Sequence, residues 1–210
     1  MMTVAGPASH TLLDLDPPTR ALVRLSAIIT AGTESVIRDA FAALGDVPAV
    51  WVEELILQCH LFAGFPRALN AMREWRRWQP EPIASGAPMA EQNWRAQGEA
   101  TCAIVYGEMY ERLRGNIRRL HPHLDDWMIV DGYGKVLSRP GLDLARRELC
   151  IVAACAASKQ DRQLHSHLRG ALNAGVAPAV VSHALDAIEN LLDRDHAHSV
   201  HLLWSRVQGK

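Results

Sequence analysis

The sequence predicts an all-α protein, and three observations carry that prediction. Apolar residues recur at helical spacing in nearly every segment. Alternation of the kind a half-buried strand needs is hard to find over more than four residues. Glycine and proline stand between the periodic stretches, where helices stop and start.

Pro17 and Pro18 precede a helix expected over 19–30, with Leu22, Leu25, Ile28 and Ile29 on one face, and Gly32 ends it. A second helix is expected over 34–44, closed by Gly45. Asp46 and Pro48 open a third over 49–62. Gly64 and Pro66 break the chain before a fourth, which carries Leu69, Met72 and Trp75. Residues 79–90, QPEPIASGAPMA, read as a linker. A helix over 101–119 and one opening at Pro122 follow, and Gly132, Gly134, Pro140 and Gly141 mark a loop. Helices are then expected over 143–157 and 162–174, from Pro178 onward, and finally to about residue 207.

The last stretch repeats the first. ALGDVPAVWVEEL at 43–55 aligns with ALNAGVAPAVVSHAL at 171–185, each with a helix ending in Ala-Leu, a glycine stop and a Pro-Ala-Val start. Thr19-Arg20 falls where Arg146-Arg147 falls. Short amphipathic helices cannot bury their faces alone, so two copies of a four-helix unit are expected to pack together or into an oligomer. The organisation expected is an N-terminal repeat over 1–78, the linker over 79–90, a central helical insert over 91–142 and a C-terminal repeat over 143–210, together forming one compact domain.

Composition narrows the function. The 22 basic and 23 acidic residues nearly cancel, so no strong field recruits nucleic acid or an anionic surface. No apolar run approaches the roughly 20 residues of a membrane span. The start, MMTVAGPASH, lacks the basic flank and apolar core of a signal peptide, which points to a cytoplasmic setting. Cys59, Cys102, Cys150 and Cys155 form no C-x-x-C pair, sit in apolar helical segments and read as buried reduced thiols. Asp193, Asp195, His196, His198 and His201 include pairs three apart on a helix, yet they read as solvated or interface residues, and no metal is expected.

Two segments carry a resemblance. EELILQCHLFAGFPRALNAM at 53–72 presents Glu54, Gln58, Phe62, Gly64, Pro66 and Ala71 in the pattern E-x-x-x-Q/H-x-x-x-aromatic-x-G-x-P-x-x-x-x-A. The segment 132–175 presents Arg147, Glu148, Leu149, then Gln163, Leu164, His167, Ala171, Leu172 and Gly175. Together they resemble the carboxymuconolactone decarboxylase / alkylhydroperoxidase D superfamily. That resemblance implies an all-α, alkylhydroperoxidase D-like fold assembled as a homo-oligomer, a trimer or a dimer here, working without a cofactor.

It also implies a site. Glu148 stands at the family's catalytic glutamate and His167 at its proton-relay histidine. The two cysteines of the peroxidase branch would stand seven and four residues before His167, where this chain has Gln160 and Gln163. A glutamine amide forms neither thiolate nor disulfide, so that branch's thiol mechanism is excluded at this site. The histidine often found in the first pattern is Gln58 here, and His60, two positions on, faces about 200° away on a helix. The N-terminal repeat has Ala21 at the place of Glu148 and Asp39 near that of His167. The C-terminal repeat has Arg194 and His196 near the places of Gly64 and Pro66. Each repeat keeps half of the pattern, which favours one composite site per chain.

The leading expectation is acid-base chemistry by Glu148 and His167 on a small carboxylate or lactone, with Arg147, Gln163 and Arg169 receiving the substrate. Two alternatives stand beside it. One is a non-catalytic binding or structural oligomer in which the pair is a buried hydrogen bond. The other is a residual peroxide reductase that requires Cys59 to be exposed and acidic.

Overall fold

The computed structural model describes residues 11–83 and 90–209. The start MMTVAGPASH and residues 84–89 of the linker segment lie outside them. Eleven α-helices follow one another among the described residues: α1 (Pro17–Ala31), α2 (Glu34–Ala42), α3 (Ala49–Ala63), α4 (Phe65–Trp75), α5 (Trp94–Tyr106), α6 (Tyr110–Leu120), α7 (Pro122–Trp127), α8 (Leu144–Ala157), α9 (Asp161–Asn173), α10 (Pro178–Ile188) and α11 (Arg194–Val207). No strand forms among these residues. The all-α class read from the sequence is the class observed.

Helix α8 is the axle. Its sequence, LARRELCIVAACAA, is buried on every side, including Arg147 and Glu148. A helix apolar all round lies inside a protein rather than on its surface. α1, α3, α9 and α10 all pack against it. α1 and α8 start alike: the Asp16 side chain accepts from the Thr19 amide, and the Asp143 side chain from the Arg146 amide. These N-caps satisfy amide groups that a helix start otherwise leaves open. Arg146 joins the two starts, donating to Thr19 Oγ1 at 2.8 Å and to Asp16 Oδ2 at 2.9 Å.

The corner between α3 and α4 explains the glycine and proline of the first pattern. Gly64 sits at φ +82° and ψ 160°, a region open essentially to glycine, and Pro66 stands in the first turn of α4. At the turn before α11 the device differs, because Asp193 caps the helix with its carboxylate.

The central region departs from its sequence reading in two places. The helix expected over 101–119 is two helices, parted at Gly107, whose φ of +51° turns the chain. The loop expected around Gly132 and Gly134 is a π-helix over Met128–Leu137. Its glycines serve proximity rather than turning. A Cβ on Gly134 would come within 2.1 Å of the Trp94 carbonyl oxygen, and one on Gly98 within 2.1 Å of that of Ile129. Backbone therefore lies on backbone where α5 crosses the π-helix.

The N-terminal arm is fastened to the far end of the fold. The Leu12 amide donates to the Gly175 carbonyl, and the Ala177 amide to that of Leu12, both at 3.0 Å. The arm thus bridges the turn between α9 and α10.

Candidate active site

Two adjacent residues of α8 reach in opposite directions. Arg147 turns toward α3 and Glu148 toward α9. Residues one apart on a helix point about 100° from each other, so a single turn serves both neighbours.

On the α9 side, Glu148 is wholly buried and His167 is 5% exposed. His167 Nδ1 lies 2.9 Å from Glu148 Oε2. With a carboxylate as acceptor, Nδ1 carries the proton and Nε2 presents its lone pair. Glu148 Oε1, also buried, has no hydrogen-bond partner among the described residues. An unsatisfied buried oxygen costs on the order of 1–3 kcal/mol, more when charged, so its presence here calls for a reason. Gly170 makes the space. A Cβ at that position would stand 2.6 Å from Glu148 Oε2 and 2.7 Å from Val105 Cγ1.

Aromatic rings enclose the imidazole. Phe62 of α3 meets His167 edge-on, with centroids 5.8 Å apart, and Tyr106 of α5 lies at 6.4 Å. Tyr133 of the π-helix meets Tyr106 edge-on, with ring centroids 6.3 Å apart. Burial pushes both phenols up, and the carboxylate of Glu148 adds to the effect. Both stay protonated at neutral pH and can donate. The thiols of Cys102 and Cys155 feel Glu148 too, and burial pushes each up to about 12.

On the α3 side the arrangement is complete. The Arg147 guanidinium donates to Glu54 Oε2 at 2.8 Å, to Gln58 Oε1 at 3.1 Å and to the carbonyls of Leu142 and Arg139 at 3.1 Å each. Gln58 returns a hydrogen bond to the Arg147 carbonyl, and Arg139 pairs with Glu54 from the other side. Arg147 is therefore spent on the protein and wholly buried. This speaks against the expectation that it receives substrate: its charge is set against Glu54, and four of its five N–H groups are bonded to the protein.

The remaining candidates lie elsewhere. Gln163 is exposed on α9, one turn before His167. Arg169 is exposed and lines a cleft of about 720 Å³ beside the pair, a cleft whose wall includes Tyr106 but neither Glu148 nor His167. Cys59 is 1% exposed, and burial pushes its thiol up to about 12, so it has neither of the properties that peroxide reduction needs. His60 donates from Nδ1 to the Leu57 carbonyl and packs on Phe65, away from the pair.

The histidine-rich tail resolves into separate tasks. Asp193 caps α11 and pairs with Lys159, while His196 bonds the Ala156 carbonyl. His201 instead meets Asp186 and Glu189, with one ligand atom of each within 4.8 Å of the others. This combination joins two helices and was not visible as a motif. Nor were Tyr106, Tyr133 and Arg139, which belong to the region read as an insert. For Tyr106 and Tyr133 the available signal was a tyrosine within an otherwise apolar helical stretch.

Residues 126–192 match the model of the carboxymuconolactone decarboxylase family, a stretch that contains Tyr133, Glu148 and His167. That match bears out the superfamily resemblance read from the motifs. It is also similar to a Schizosaccharomyces pombe protein named peroxisomal protein 2, 26% identical over 155 residues that cover 71% of this chain and 72% of that one. A Saccharomyces cerevisiae protein of the same name is 24% identical over 151 residues, 58% of this chain and 53% of the yeast protein. Those names state a compartment and no reaction.

Proposed function

We propose that this chain is an acid-base enzyme acting on a small carboxylate or lactone, with His167 as the proton-transferring group and Glu148 as the residue that orients and balances it. One observation carries the reading: a buried carboxylate holds a buried imidazole by one oxygen and keeps its second oxygen unpartnered. In that arrangement Nε2 removes a proton beside a carbonyl, and Glu148 offsets the positive charge that forms on the ring. The phenols of Tyr106 and Tyr133 supply donors for an oxyanion. Arg169 and Gln163 receive the anionic substrate from the solvent side. No step calls on a cofactor.

The test is proton exchange. Small oxo-acids and lactone carboxylates in deuterated water, followed by NMR, should exchange the proton next to the carbonyl or lose carbon dioxide with the wild-type protein. Glu148→Gln and His167→Ala should each slow this by about 10²–10⁴-fold. A panel that shows no wild-type turnover, or variants as fast as wild type, would refute the proposal.

A second reading has its own support. Neither Glu148 nor His167 lines the 720 Å³ cleft or the 440 Å³ cleft beside the loop at 138–145. In a binding or structural protein the pair is then a hydrogen bond that fastens α9 to α8, and its loss would lower stability without touching any reaction. The residual peroxidase reading has lost its premise at Cys59; Ellman's reagent on the native protein should find that thiol unreactive.

Assembly, duplication and location belong to the same proposal. Exposed Phe65, Leu69, Trp78 and Trp127 favour a homo-oligomer, trimer or dimer, which sedimentation at micromolar concentration would detect. The order α1–α4 recurs in α8–α11 with like starts, which favours two tandem repeats flanking the segment 91–142. None of the described helices is long and apolar enough to cross a membrane. A cytoplasmic setting suits four unpaired cysteines, while the relatives' names favour a peroxisomal one. Imaging of the tagged protein decides between the two.

A further inference from the structure

The cleft beside the pair has a chemistry of its own. Its volume, about 720 Å³, lies within the range of small-molecule sites. Val105, Met109, Leu113, Leu172 and Val207 give it an apolar lining. Arg112 of α6 and Arg169 of α9 stand on the same cleft, both exposed, and neither makes an ion pair or hydrogen bond among the described residues. Most other arginines near this end of the fold are engaged: Arg114 and Arg118 hold Asp125, and Arg95 holds Asp126. Two unengaged guanidiniums on one apolar cleft are a receptor for an anion that carries an apolar body. Glu108 also lines the cleft and opposes an anion at its own position, so the charged end belongs with the arginines. Asn173 is fixed by donating to the Val105 carbonyl at 2.9 Å, which leaves its amide oxygen free to accept.

We propose that this cleft binds an amphipathic carboxylate, larger than the acids or lactones that the buried pair alone would select, with its apolar body on the lining of α5, α6 and α9 and its carboxylate at the edge where Arg112 and Arg169 stand. Binding rests on the cleft alone. That the ligand is also the substrate rests on the acid-base reading, and the geometry that connects them is a thin wall. Val105 and Tyr106 line the cleft on one side and stand against Gly170 and His167 on the other. A displacement of the Tyr106 ring joins the two spaces.

The experiment is calorimetric titration of the full chain with octanoate, 1-octanol and acetate. Octanoate should bind saturably, and the other two at least tenfold more weakly, because each lacks one of the two features recognised. Arg112→Gln and Arg169→Gln should each weaken octanoate by about tenfold. Met109→Asp should do so through repulsion at the lining. All three positions are exposed, so folding is not at stake. Absence of saturable octanoate binding, or equal affinity in all three variants, would overturn the inference. Glu148→Gln separates the two proposals. If it binds octanoate normally but has lost turnover of a small oxo-acid, both stand. If octanoate never binds while Glu148→Gln still abolishes that turnover, the cleft inference fails and the acid-base reading survives.

Discussion

Arg147 and Glu148 are neighbours in the chain, both wholly buried, and differ in one respect. The arginine's hydrogen bonds are answered by Glu54, Gln58 and two carbonyls, while one oxygen of the glutamate is left open. Burial alone does not distinguish a structural charge from a reactive one; satisfaction does. A buried ion pair with every group matched gains rigidity and a defined register between α3 and α8. A buried carboxylate with an unmet oxygen holds free energy that a substrate or a proton can recover.

The sharpest way to break this contrast is Arg147→Ala. It removes one of the two guanidiniums that pair with the buried Glu54 and should cost about 3–5 kcal/mol, seen as a lower midpoint in urea. A loss below about 1 kcal/mol would mean that Arg139 suffices. Gly170→Ala comes next. Its new methyl group meets Glu148 Oε2 and Val105 Cγ1, and a cost of about 1–3 kcal/mol is expected, with turnover reduced alongside. Glu148→Gln should lie within about 1 kcal/mol of wild type, since it preserves shape and exchanges one hydrogen bond for another. A loss as large as that of Arg147→Ala would move Glu148 to the structural side.

The smallest effect concerns pH. Arg114, hydrogen-bonded to Asp125, holds that carboxyl below its ordinary value of 3.8. A carboxyl whose pKa is lower folded than unfolded adds stability above the unfolded value and loses it as pH falls through the folded one. The difference in thermal midpoint between wild type and Asp125→Asn should therefore be clear at pH 7 and shrink below about pH 4. A difference that stays constant to pH 2 would contradict the ion-pair account.

Helix order and the α3–α4 corner were legible because each depends on local spacing, and Glu148 and His167 were singled out by the family resemblance. Periodicity places residues on faces, and Lys159, at φ +57° among 158–160, closes the short turn that makes α8 and α9 antiparallel. What escaped was long-range. Nothing near Arg147 in the chain announces that Glu54, 93 residues away, would claim it. Gly132 and Gly134 look like loop residues because glycine usually marks turns, whereas Gly134 is needed for the contact with Trp94. The cluster of Asp186, Glu189 and His201 depends on the packing of α10 with α11, which no spacing rule encodes.

The bridge from Leu12 to Gly175 and Ala177 gives the chain's beginning a mechanical role at the opposite end of its sequence. α9 carries His167, and its C-terminal turn is held by a strut from the arm before α1. Removing the first dozen residues by proteolysis would touch no reacting group. It would nevertheless unpin that turn and loosen the seat of the imidazole, a loss that hydrogen exchange at the Ala177 amide would register before any change in the core.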